Sequence, residues 1–337
     1  MNTYYMKCSV NGFRDSKRKT YITDIQKYSI HDGEGIRTTV FFKGCPLTCL
    51  WCHNPETQSF WQEPFFYEER CTGCGQCSQD CPHQAIRMEA EFNEKDRQSG
   101  SDASQAVRQR AVTDRSLCIT CGRCLDSCVN NAREICGRAY TVRELVTEVL
   151  KDQAFYETSG GGVTLSGGEV LSQDMEYILE LVKILYQKGV SINIDTCGQV
   201  RYNVIEKVLP YTDVFLYDLK LMDADRHRHY TGVSNEQILE NLIRLAKDKG
   251  RIWIRIPVIG KVNDTVENME QTAGFLNKNH IQPERIHLLP YHDMGRGKYS
   301  RLARGYQQDF TVPDQEKMEE LQHIFTEAGF ADVRIGG

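Results

Sequence analysis

The placement of the cysteines constrains this chain more than any other feature of its sequence. Eleven of its fourteen cysteines fall into three short groups, within 45–52, 71–81 and 118–128. Secreted disulfide scaffolds are short, whereas this chain has 337 residues, and thiols at gaps of two or three residues favour metal binding. Thiolates are soft ligands that select zinc, copper(I) or iron–sulfur clusters, so the sequence predicts metal centres in a reducing compartment.

The second and third groups are one motif that occurs twice, 47 positions apart. The first copy has the spacing C-x2-C-x2-C-x3-C-P of bacterial ferredoxins, in which three cysteines hold one [4Fe–4S] cluster and the fourth reaches across to the other. The two predicted ligand sets are Cys71, Cys74, Cys77 and Cys128, and Cys118, Cys121, Cys124 and Cys81. Val129 stands where a proline usually follows, which removes no ligand. A pair of structural zinc sites is the alternative.

The first group differs because it lacks a fourth cysteine. The segment GCPLTCLWCHNPE places Cys45, Cys49 and Cys52 in a C-x3-C-x2-C loop. Three protein ligands on a [4Fe–4S] cube leave one iron open, and an open position distinguishes a catalytic metal centre from a closed structural one. A zinc site that His53 completes is the alternative. The loop therefore predicts a catalytic cluster.

From about residue 139 onward, short apolar strands alternate with amphipathic helices. Strand-like GVTLSGG precedes helix-like MEYILELVKILYQKG, the pattern continues to KMEELQHIFTEAG, and TTVFFKG supplies an earlier strand. This alternation predicts a parallel α/β sheet, and about six such units favour a partial or full barrel over an open doubly wound sheet. In both folds the chemistry lies at the strand ends. The polar segment 94–110 predicts an exposed loop.

The charge and hydropathy of the chain exclude several classes of partner. The chain carries 46 acidic and 41 basic side chains for a net charge of −5, so it has no basic footprint for nucleic acid or an anionic membrane. No stretch approaches eighteen uninterrupted apolar residues, and the first twenty residues lack the apolar segment of a signal peptide. We therefore expect a cytoplasmic protein with no nucleic-acid or membrane partner.

The stretch IHDGEGIRTTVFFKGCPLTCLWCHNPE resembles the N-terminal signature of the glycyl radical enzyme activating enzymes, the radical SAM family of the pyruvate formate-lyase activase. Similar blocks follow in the family's order: SGGGVTLSGGE, IDTCG, LYDLKLMD, HYTGVSN, RIP and LLPYHDMGRGKY. The family fold is a partial (β/α)6 barrel, and one subgroup carries an inserted bacterial-ferredoxin-like domain. The resemblance implies that 1–62 and 139–337 form the radical SAM barrel and that 63–138 is the insertion with two [4Fe–4S] clusters.

The resemblance also implies a reaction. The open iron would chelate the amino and carboxylate groups of S-adenosylmethionine, and one electron would split the sulfonium into methionine and a 5′-deoxyadenosyl radical. That radical would remove a hydrogen atom from a glycine of a partner glycyl radical enzyme. The implied cofactors are three [4Fe–4S] clusters and S-adenosylmethionine, with room for a monovalent cation, and the implied electron donor is a flavodoxin or a ferredoxin.

The family blocks imply two sets of contact residues in this sequence. Those around S-adenosylmethionine are Trp51, His53, Gly167, Gly168, Glu169, Asp195, Asp218, Lys220, Arg255 and His292. Those that would hold the partner's glycyl loop are Asp32, Gly33, Gly35 and Arg37, with Glu34 where proline is frequent. Asp195 and Asp218 would hold the ammonium group or a cation, and Lys220 would pair with the carboxylate. Arg255 would lie near the methionyl part and His292 near the adenosyl part. Taken singly, each residue is more often an ordinary strand-end, turn or core position.

Two other functions fit parts of the sequence. One is a radical SAM enzyme that acts on a different peptide or on a small molecule, although peptide-modifying relatives usually carry cluster cysteines after the barrel, and this chain has none after Cys197. The other is an iron–sulfur electron-transfer protein, in which the three-cysteine loop would have no purpose. Cys8, Cys136 and Cys197 are predicted to be buried, inert thiols.

Overall fold

The computed structural model describes residues 19–91, 108–306 and 309–336. The strands are β1 (Tyr21–Ser29), β2 (Arg37–Lys43), β3 (Glu63–Phe66), β4 (Ile86–Glu91), β5 (Arg108–Thr113), β6 (Arg133–Cys136), β7 (Arg138–Ala139), β8 (Gly162–Gly167), β9 (Ser191–Thr196), β10 (Val214–Asp218), β11 (Ile252–Val258), β12 (Arg285–Pro290) and β13 (Val333–Ile335). The helices are α1 (Gln76–Gln79), α2 (Arg123–Asp126), α3 (Val142–Val149), α4 (Gln153–Ser159), α5 (Met175–Gln187), α6 (Tyr202–Val208), α7 (Ala224–Thr231), α8 (Glu236–Lys247), α9 (Val266–Lys278), α10 (Arg296–Arg301) and α11 (Gln315–Glu327). None of the described helices combines the length and apolar character that crossing a bilayer requires.

The described chain divides into two compact units. Residues 62–136 and 300–304 form one, which we call the insertion unit. Residues 19–61, 137–299 and 305–336 form the other, which we call the barrel unit. The insertion unit therefore interrupts the barrel unit along the sequence.

The barrel unit is built on one nine-stranded sheet. Its strand order is β13-β12-β11-β10-β9-β8-β2-β1-β7. All six pairings from β2 through β13 are parallel, whereas β1 pairs antiparallel with both β2 and β7. Among the described strands, β13 and β7 end the sheet without pairing with each other. The sheet is therefore an open, partial barrel, and the predicted α/β fold is confirmed.

Alternation along the parallel strands separates an apolar outer face from a polar inner face. In β8, Val163 and Leu165 belong to the apolar core, while Thr164 and Ser166 are buried on the opposite face. The crossover helix α5 covers the outer face with four buried side chains at helical spacing, Ile178, Leu181, Val182 and Leu185. Burial of each such side chain stabilises the fold by about 1.5–3 kcal/mol. The polar inner faces of neighbouring strands therefore share one interior.

The insertion unit contains two short antiparallel pairs, β3 with β6 and β4 with β5. The single-turn helices α1 and α2 follow the second cysteine of each motif copy, and each starts after a glycine with positive φ, +77° at Gly75 and +84° at Gly122. This conformation favours a residue without Cβ, which explains why the glycine recurs in both copies. The predicted loop 94–110 lies outside the described residues up to position 107, and its last three residues begin β5. Cys8 also lies outside the described residues.

Candidate active site

The segment after β2 is a backbone-bonded loop that carries three cysteines. Cys45 N donates to Gln58 O at 3.1 Å, and Thr48 N donates to Thr231 O at 2.8 Å. Backbone hydrogen bonds fix the direction in which neighbouring side chains leave the main chain. The loop therefore holds its three thiols at the carboxyl end of β2; they are Cys45, Cys49 and Cys52.

The three thiols share one electrostatic environment. Burial raises the pKa of the Cys52 thiol to about 12, and the neighbouring Cys45 adds to that shift. Burial also raises the pKa of Cys49, and the ammonium group of Lys220 opposes this shift. A thiol loses its proton when it binds iron, and iron itself drives that loss. Lys220 therefore favours the form of Cys49 that ligates metal.

Gly167 and Gly168 are required by the packing of β8 against this loop. Gly167 has a φ of +104°, and a Cβ there would lie 2.4 Å from the Phe42 nitrogen. A Cβ on Gly168 would lie 2.3 Å from the Gly44 oxygen. The two glycines therefore let β8 end directly beside the backbone that leads into Cys45. Their contact with a methionyl group stays a prediction.

Glu169 is fully buried, and its carboxylate is hydrogen-bonded to other parts of the protein. The carboxylate oxygens accept hydrogen bonds from Leu171 N at 3.0 Å, Thr196 Oγ1 at 2.9 Å and Cys197 N at 2.8 Å. Burial raises the pKa of Glu169, and these donors oppose the shift because they stabilise the carboxylate. Glu169 therefore ties the segment after β8 to the end of β9.

A charged cluster lies on the inner face of the sheet. Arg255 Nη1 stands 3.5 Å from Asp195 Oδ2 and 3.6 Å from Asp32 Oδ1. Burial raises the pKa of Asp195 to about 6, Arg255 opposes that shift, and the carboxylate of Asp218 adds to it. These three carboxylates, with Arg255 and Lys220, leave one net negative charge when all are ionised. The cluster therefore suits a ligand group that carries a positive charge.

Lys220 stands between a carboxylate and the cysteine loop. Its Nζ lies 2.6 Å from Asp218 Oδ2, and its side chain is only 10% exposed. Burial would lower the pKa of Lys220, but the charges of Asp218 and Cys49 outweigh burial and raise it. A buried ammonium group beside the thiols offers a partner for a carboxylate that binds there. The structure thus brings the predicted Asp218 and Lys220 to the predicted cluster ligands.

His53 and His292 stack face to face. Their ring centroids are 4.0 Å apart at an interplanar angle of 11°. Burial, with a contribution from His292, lowers the pKa of His53 to about 4, so its ring is neutral at pH 7. His53 Nε2 and His292 Nδ1 are buried and have no hydrogen-bond partner among the described residues. Buried ring nitrogens that lack partners beside a flat aromatic surface fit a site for a heterocyclic base.

Trp51 belongs to an apolar cluster beside this stack. It is buried and packs with Leu221, Ile259 and Tyr291. Tyr291 in turn stacks on His53 at a centroid distance of 5.5 Å. The indole therefore supports the histidine stack through Tyr291, and its contact with adenine stays a prediction.

The loop between β1 and β2 carries the D-G-x-G-I-R block. Arg37 is 1% exposed, and its guanidinium donates to Thr164 Oγ1 at 2.7 Å and to Val163 O at 2.8 Å. Gly35 has a φ of +69°, and a Cβ there would lie 2.4 Å from the Gly161 nitrogen. Arg37 therefore anchors this loop to β8 from inside the fold, and its own contact with a partner protein stays a prediction.

A slot of about 320 Å³ opens beside this loop. Its lining includes Gly33, Glu34 and Gly35 from the loop, and Trp253, Arg285, His287 and Arg334 from β11, β12 and β13. Arg285 stacks over Trp253 at 4.0 Å and pairs with Asp332 at 2.8 Å. The slot thus combines small, flat and charged surfaces, which suits an extended peptide better than a compact apolar ligand.

In the insertion unit, four cysteines line one cavity. They are Cys81, Cys118, Cys121 and Cys124. Cys81 belongs to the first motif copy and the other three to the second, in the arrangement that the ferredoxin spacing predicts. In the described parts of the chain, no three His, Cys, Asp or Glu side chains stand close enough to ligate a single metal ion. Both ligand sets stay predictions, this one and the set of Cys71, Cys74, Cys77 and Cys128.

Comparison with known proteins decides the family. Residues 70–132 match the 4Fe-4S dicluster domain family, and residues 123–276 match the Radical SAM superfamily. The trans-4-hydroxy-L-proline dehydratase activating enzyme of Clostridioides difficile is 44% identical over 94% of this chain and 99% of its own length. The chain belongs to the glycyl radical enzyme activating enzymes. The predicted family and enzyme class are therefore confirmed, and the activase is an iron–sulfur protein of the radical SAM type.

The activase is also similar to relatives whose names specify other partners. The choline trimethylamine-lyase activating enzyme of Oleidesulfovibrio alaskensis is 40% identical over 86% of this chain and 89% of its own length. The benzylsuccinate synthase activating enzyme of Thauera aromatica is 39% identical over 94% of this chain and 92% of its own length. Family membership overturns the electron-transfer alternative, because relatives over nearly the whole chain are activating enzymes, and the match to the 4Fe-4S dicluster domain favours iron–sulfur clusters over zinc within residues 70–132.

Two residues of the site were not predicted to be functional. Ser166 Oγ donates to Asp195 Oδ2 at 2.6 Å. Cys197 is buried as predicted, as is Cys136, but the thiol of Cys197 donates a hydrogen bond to Glu169 Oε2 at 2.9 Å. Both residues lie inside the family blocks TLSGG and IDTCG. Strand alternation was the available signal for Ser166, because it places that side chain on the inner face of β8.

Proposed function

We propose that this activase cleaves S-adenosylmethionine at a [4Fe–4S] cluster held by Cys45, Cys49 and Cys52, and forms a glycyl radical on a partner enzyme under anaerobic conditions. The observation that carries the proposal is a partly buried Asp218–Lys220 pair, 2.6 Å apart, whose ammonium group acts on the thiol of Cys49. When bound, the cluster supplies the single electron that splits the sulfonium bond. The protein supplies orientation, charge and exclusion of water.

The charged groups can orient S-adenosylmethionine by its three polar parts. Lys220 pairs with the carboxylate, and the net negative cluster of Asp195 and Asp218 accepts the ammonium group or a monovalent cation. The neutral stack of His53 and His292 receives the adenosyl part. Because these groups are partly shielded from solvent, their interactions with the ligand are stronger than in water.

Electron paramagnetic resonance tests directly which partner enzyme acquires the glycyl radical. The trans-4-hydroxy-L-proline dehydratase is the first partner to test, because the activating enzyme named for it is 44% identical to this chain. Anaerobic incubation with S-adenosylmethionine, a reductant and this dehydratase should produce a glycyl radical doublet, and choline trimethylamine-lyase should produce less. Release of 5′-deoxyadenosine with no doublet on any candidate would favour a different peptide or a small molecule. Absence of both products would overturn the proposal.

The two further clusters are assigned to the insertion, residues 63–138. The cavity of Cys81, Cys118, Cys121 and Cys124 supports one of them, and the first three cysteines of the first copy with Cys128 are proposed for the other. Three clusters require about 12 irons per chain. We place the enzyme in the reducing cytoplasm, where cysteine thiols remain available as metal ligands.

These clusters are proposed to carry electrons from a flavodoxin or a ferredoxin. Cys74→Ala should lower activity with flavodoxin as the donor by at least about tenfold, because a missing ligand destabilises the first cluster of that route. Activity with dithionite should stay within about twofold of the parent, because a small reductant does not need the route. Rates of 5′-deoxyadenosine release with each donor provide the measurement. Equal loss with both donors would mean that the insertion is structural.

The slot beside the β1–β2 loop is proposed to receive the partner's glycyl segment. Asp32, Gly33 and Gly35 of the β1–β2 loop would contact that segment, and Arg37 would hold the β1–β2 loop in place. Gly35→Ala should reduce the glycyl radical yield about tenfold or more, because a Cβ would push the loop away from the Gly161 backbone. Gly35 and Cys45 lie at opposite ends of β2, about 20 Å apart at ~3.3 Å per residue. Release of 5′-deoxyadenosine without the partner should therefore stay near the parent rate.

Gly160→Ala is the matched control for this substitution. Gly160 also has a positive φ, +70°, but a Cβ there would meet nothing within 4 Å. The control thus adds the same backbone strain without the collision and should keep most of the radical yield. An unchanged yield for Gly35→Ala would remove the loop from the proposed partner site.

A further inference from the structure

His287 is a buried side chain in the lining of the slot beside the β1–β2 loop. The residue is 7% exposed and lines the slot together with Trp253 and Arg285. Its Nε2 is buried and has no hydrogen-bond partner among the described residues. A buried polar atom without a partner is unfavourable, so this nitrogen marks a place where a group from outside the chain can bind.

The hydrogen bond of the other ring nitrogen determines what Nε2 can do. His287 Nδ1 lies 2.7 Å from the carbonyl oxygen of Gly336. A carbonyl oxygen can only accept, so Nδ1 carries the proton of this bond, and in a neutral ring Nε2 is then an acceptor. Burial lowers the pKa of His287, so the ring is neutral at pH 7. The unpartnered nitrogen therefore requires a hydrogen-bond donor.

The charges around the ring disfavour a cationic donor. Arg255 stands opposite His287 in the register of β11 and β12, and Arg334 stands opposite it on β13. These two guanidinium groups and that of Arg285 lower the pKa of His287 further, because they act on the ring as positive charges. A lysine or arginine of a partner would bring another positive charge to the same place. The donor that fits is therefore an uncharged N–H or O–H group.

The rest of the lining is flat or small. Trp253 stacks on His287 at a centroid distance of 5.8 Å and an interplanar angle of 24°, and Arg285 lies 4.0 Å over the indole of Trp253. The β1–β2 loop contributes Gly33 and Gly35. Flat surfaces together with small residues leave room for an extended main chain, whose planar peptide groups each offer one N–H, except at proline.

We infer that His287 Nε2 accepts a hydrogen bond from an uncharged N–H or O–H group of the partner's glycyl segment when that segment occupies the slot. A backbone N–H of the glycyl segment is one source of the donor, and a serine, threonine or tyrosine hydroxyl is the other. The bond satisfies the buried nitrogen and sets the register of the glycyl segment in the slot. The inference rests on the proposed function, because it requires the slot to be the site of that segment.

Two substitutions separate this role from a structural one. His287→Asn places an amide nitrogen near the position of Nδ1, so it keeps a donor for the Gly336 carbonyl and removes the acceptor at Nε2. His287→Gln places an amide oxygen near the position of Nε2, so it keeps the acceptor and loses the bond to Gly336. The glycyl segment should bind about tenfold more weakly to His287→Asn and within about threefold of the parent to His287→Gln. A ring that only anchors Gly336 would give the opposite order.

The measurement is the fluorescence anisotropy of a labelled peptide that contains the radical glycine of the trans-4-hydroxy-L-proline dehydratase. The full-length, anaerobically reconstituted enzyme is titrated into this peptide in the presence of S-adenosylmethionine. His323→Asn is the matched control, because His323 lies on α11 with 69% of its side chain exposed, and this variant should bind the peptide like the parent.

Changes in the peptide identify the source of the donor. Ester linkages remove one backbone N–H at a time, and exchange of serine, threonine or tyrosine for alanine, valine or phenylalanine removes a hydroxyl. The change that removes the donor should weaken binding to the parent about tenfold, and should alter binding to His287→Asn by less than about twofold, because the bond is already lost there.

Three results would overturn the inference while the slot remains the site of the glycyl segment. They are equal binding of the peptide by the parent and His287→Asn, the opposite order of His287→Asn and His287→Gln, and the absence of any peptide change whose effect depends on His287. A parent enzyme that binds no glycyl peptide would instead count against the slot as the partner site in the proposed function, and the inference would fail with it.

Discussion

Replacement of Cys45 by alanine should reduce the release of 5′-deoxyadenosine from S-adenosylmethionine by at least about a thousandfold. Substitution of groups that merely support a metal ligand already costs about 10–100-fold, so loss of one of three ligands should cost more. With two cysteines left in the loop, the cluster loses the site geometry that leaves only one iron open. The measurement is product release under anaerobic conditions with dithionite, after reconstitution with iron and sulfide.

Cys136→Ala is the control for Cys45→Ala. Cys136 lies outside the three cysteine groups and is buried against Phe65 in the insertion unit. That variant should keep the parent rate and the parent iron content. Cys45→Ala should bind about four irons fewer, since each [4Fe–4S] cluster holds four. A Cys45→Ala enzyme that still released 5′-deoxyadenosine would show that the assignment of the catalytic cluster is wrong.

The affinity for S-adenosylmethionine should fall below about pH 6, by up to tenfold for each pH unit. Burial raises the pKa of Asp195 to about 6, and Arg255 and Asp218 modify that value in opposite directions. The ammonium group of the ligand favours the ionised carboxylate of Asp195. Below the pKa that Asp195 has in the ligand-free enzyme, this carboxyl must therefore lose its proton before the ligand binds well. Above about pH 6 Asp195 is already ionised, and the affinity should level off. Equilibrium binding between pH 4.5 and 8 gives the profile.

Asp195→Asn identifies the group that titrates. The amide keeps the size of the side chain and cannot ionise, so its binding profile should be flat in this range and its affinity at pH 7.5 about tenfold or more below the parent. The pKa of Asp195 in the folded protein lies above that of an unfolded aspartate. Its ionised carboxyl therefore lowers the free energy of unfolding above about pH 6, and this destabilisation disappears as the pH falls. The variant apoprotein should therefore not melt lower than the parent at pH 7.5. A pH-dependent profile that persists in Asp195→Asn would assign the titration to another group.

The cysteine spacing could be interpreted without the fold because it is local. Within a loop of three or four residues, the chain itself limits how far apart two thiols lie, so C-x2-C and C-x3-C spacings predict shared metal ligation. The alternation of strands and helices from residue 139 predicted the parallel sheet for a similar reason, since side-chain periodicity follows from backbone geometry alone. The family resemblance then implied S-adenosylmethionine as the ligand and glycyl radical formation as the reaction, neither of which could be inferred from the residue types alone.

Contacts between distant segments needed the tertiary structure. Arg37 belongs to the block that is predicted to hold the partner's glycyl loop, and the structure shows that its guanidinium donates to Thr164 and Val163 inside the fold. Gly167 was predicted to make room for a ligand, and the structure shows that it also makes room for the backbone at Phe42. Both outcomes depend on which strand pairs with β2, and β2 and β8 are separated by more than a hundred residues.

The sequence by itself thus predicted iron–sulfur chemistry, because the type and spacing of the ligands lie within short segments. It also determined the α/β class, because periodicity is local. Only the tertiary structure decided that Glu169 accepts a hydrogen bond from Cys197, and that Asp32, Asp195 and Arg255 form one charged cluster. The physical reason is that hydrogen bonds and charges act over a few ångströms, and only the folded sheet brings these residues within that range.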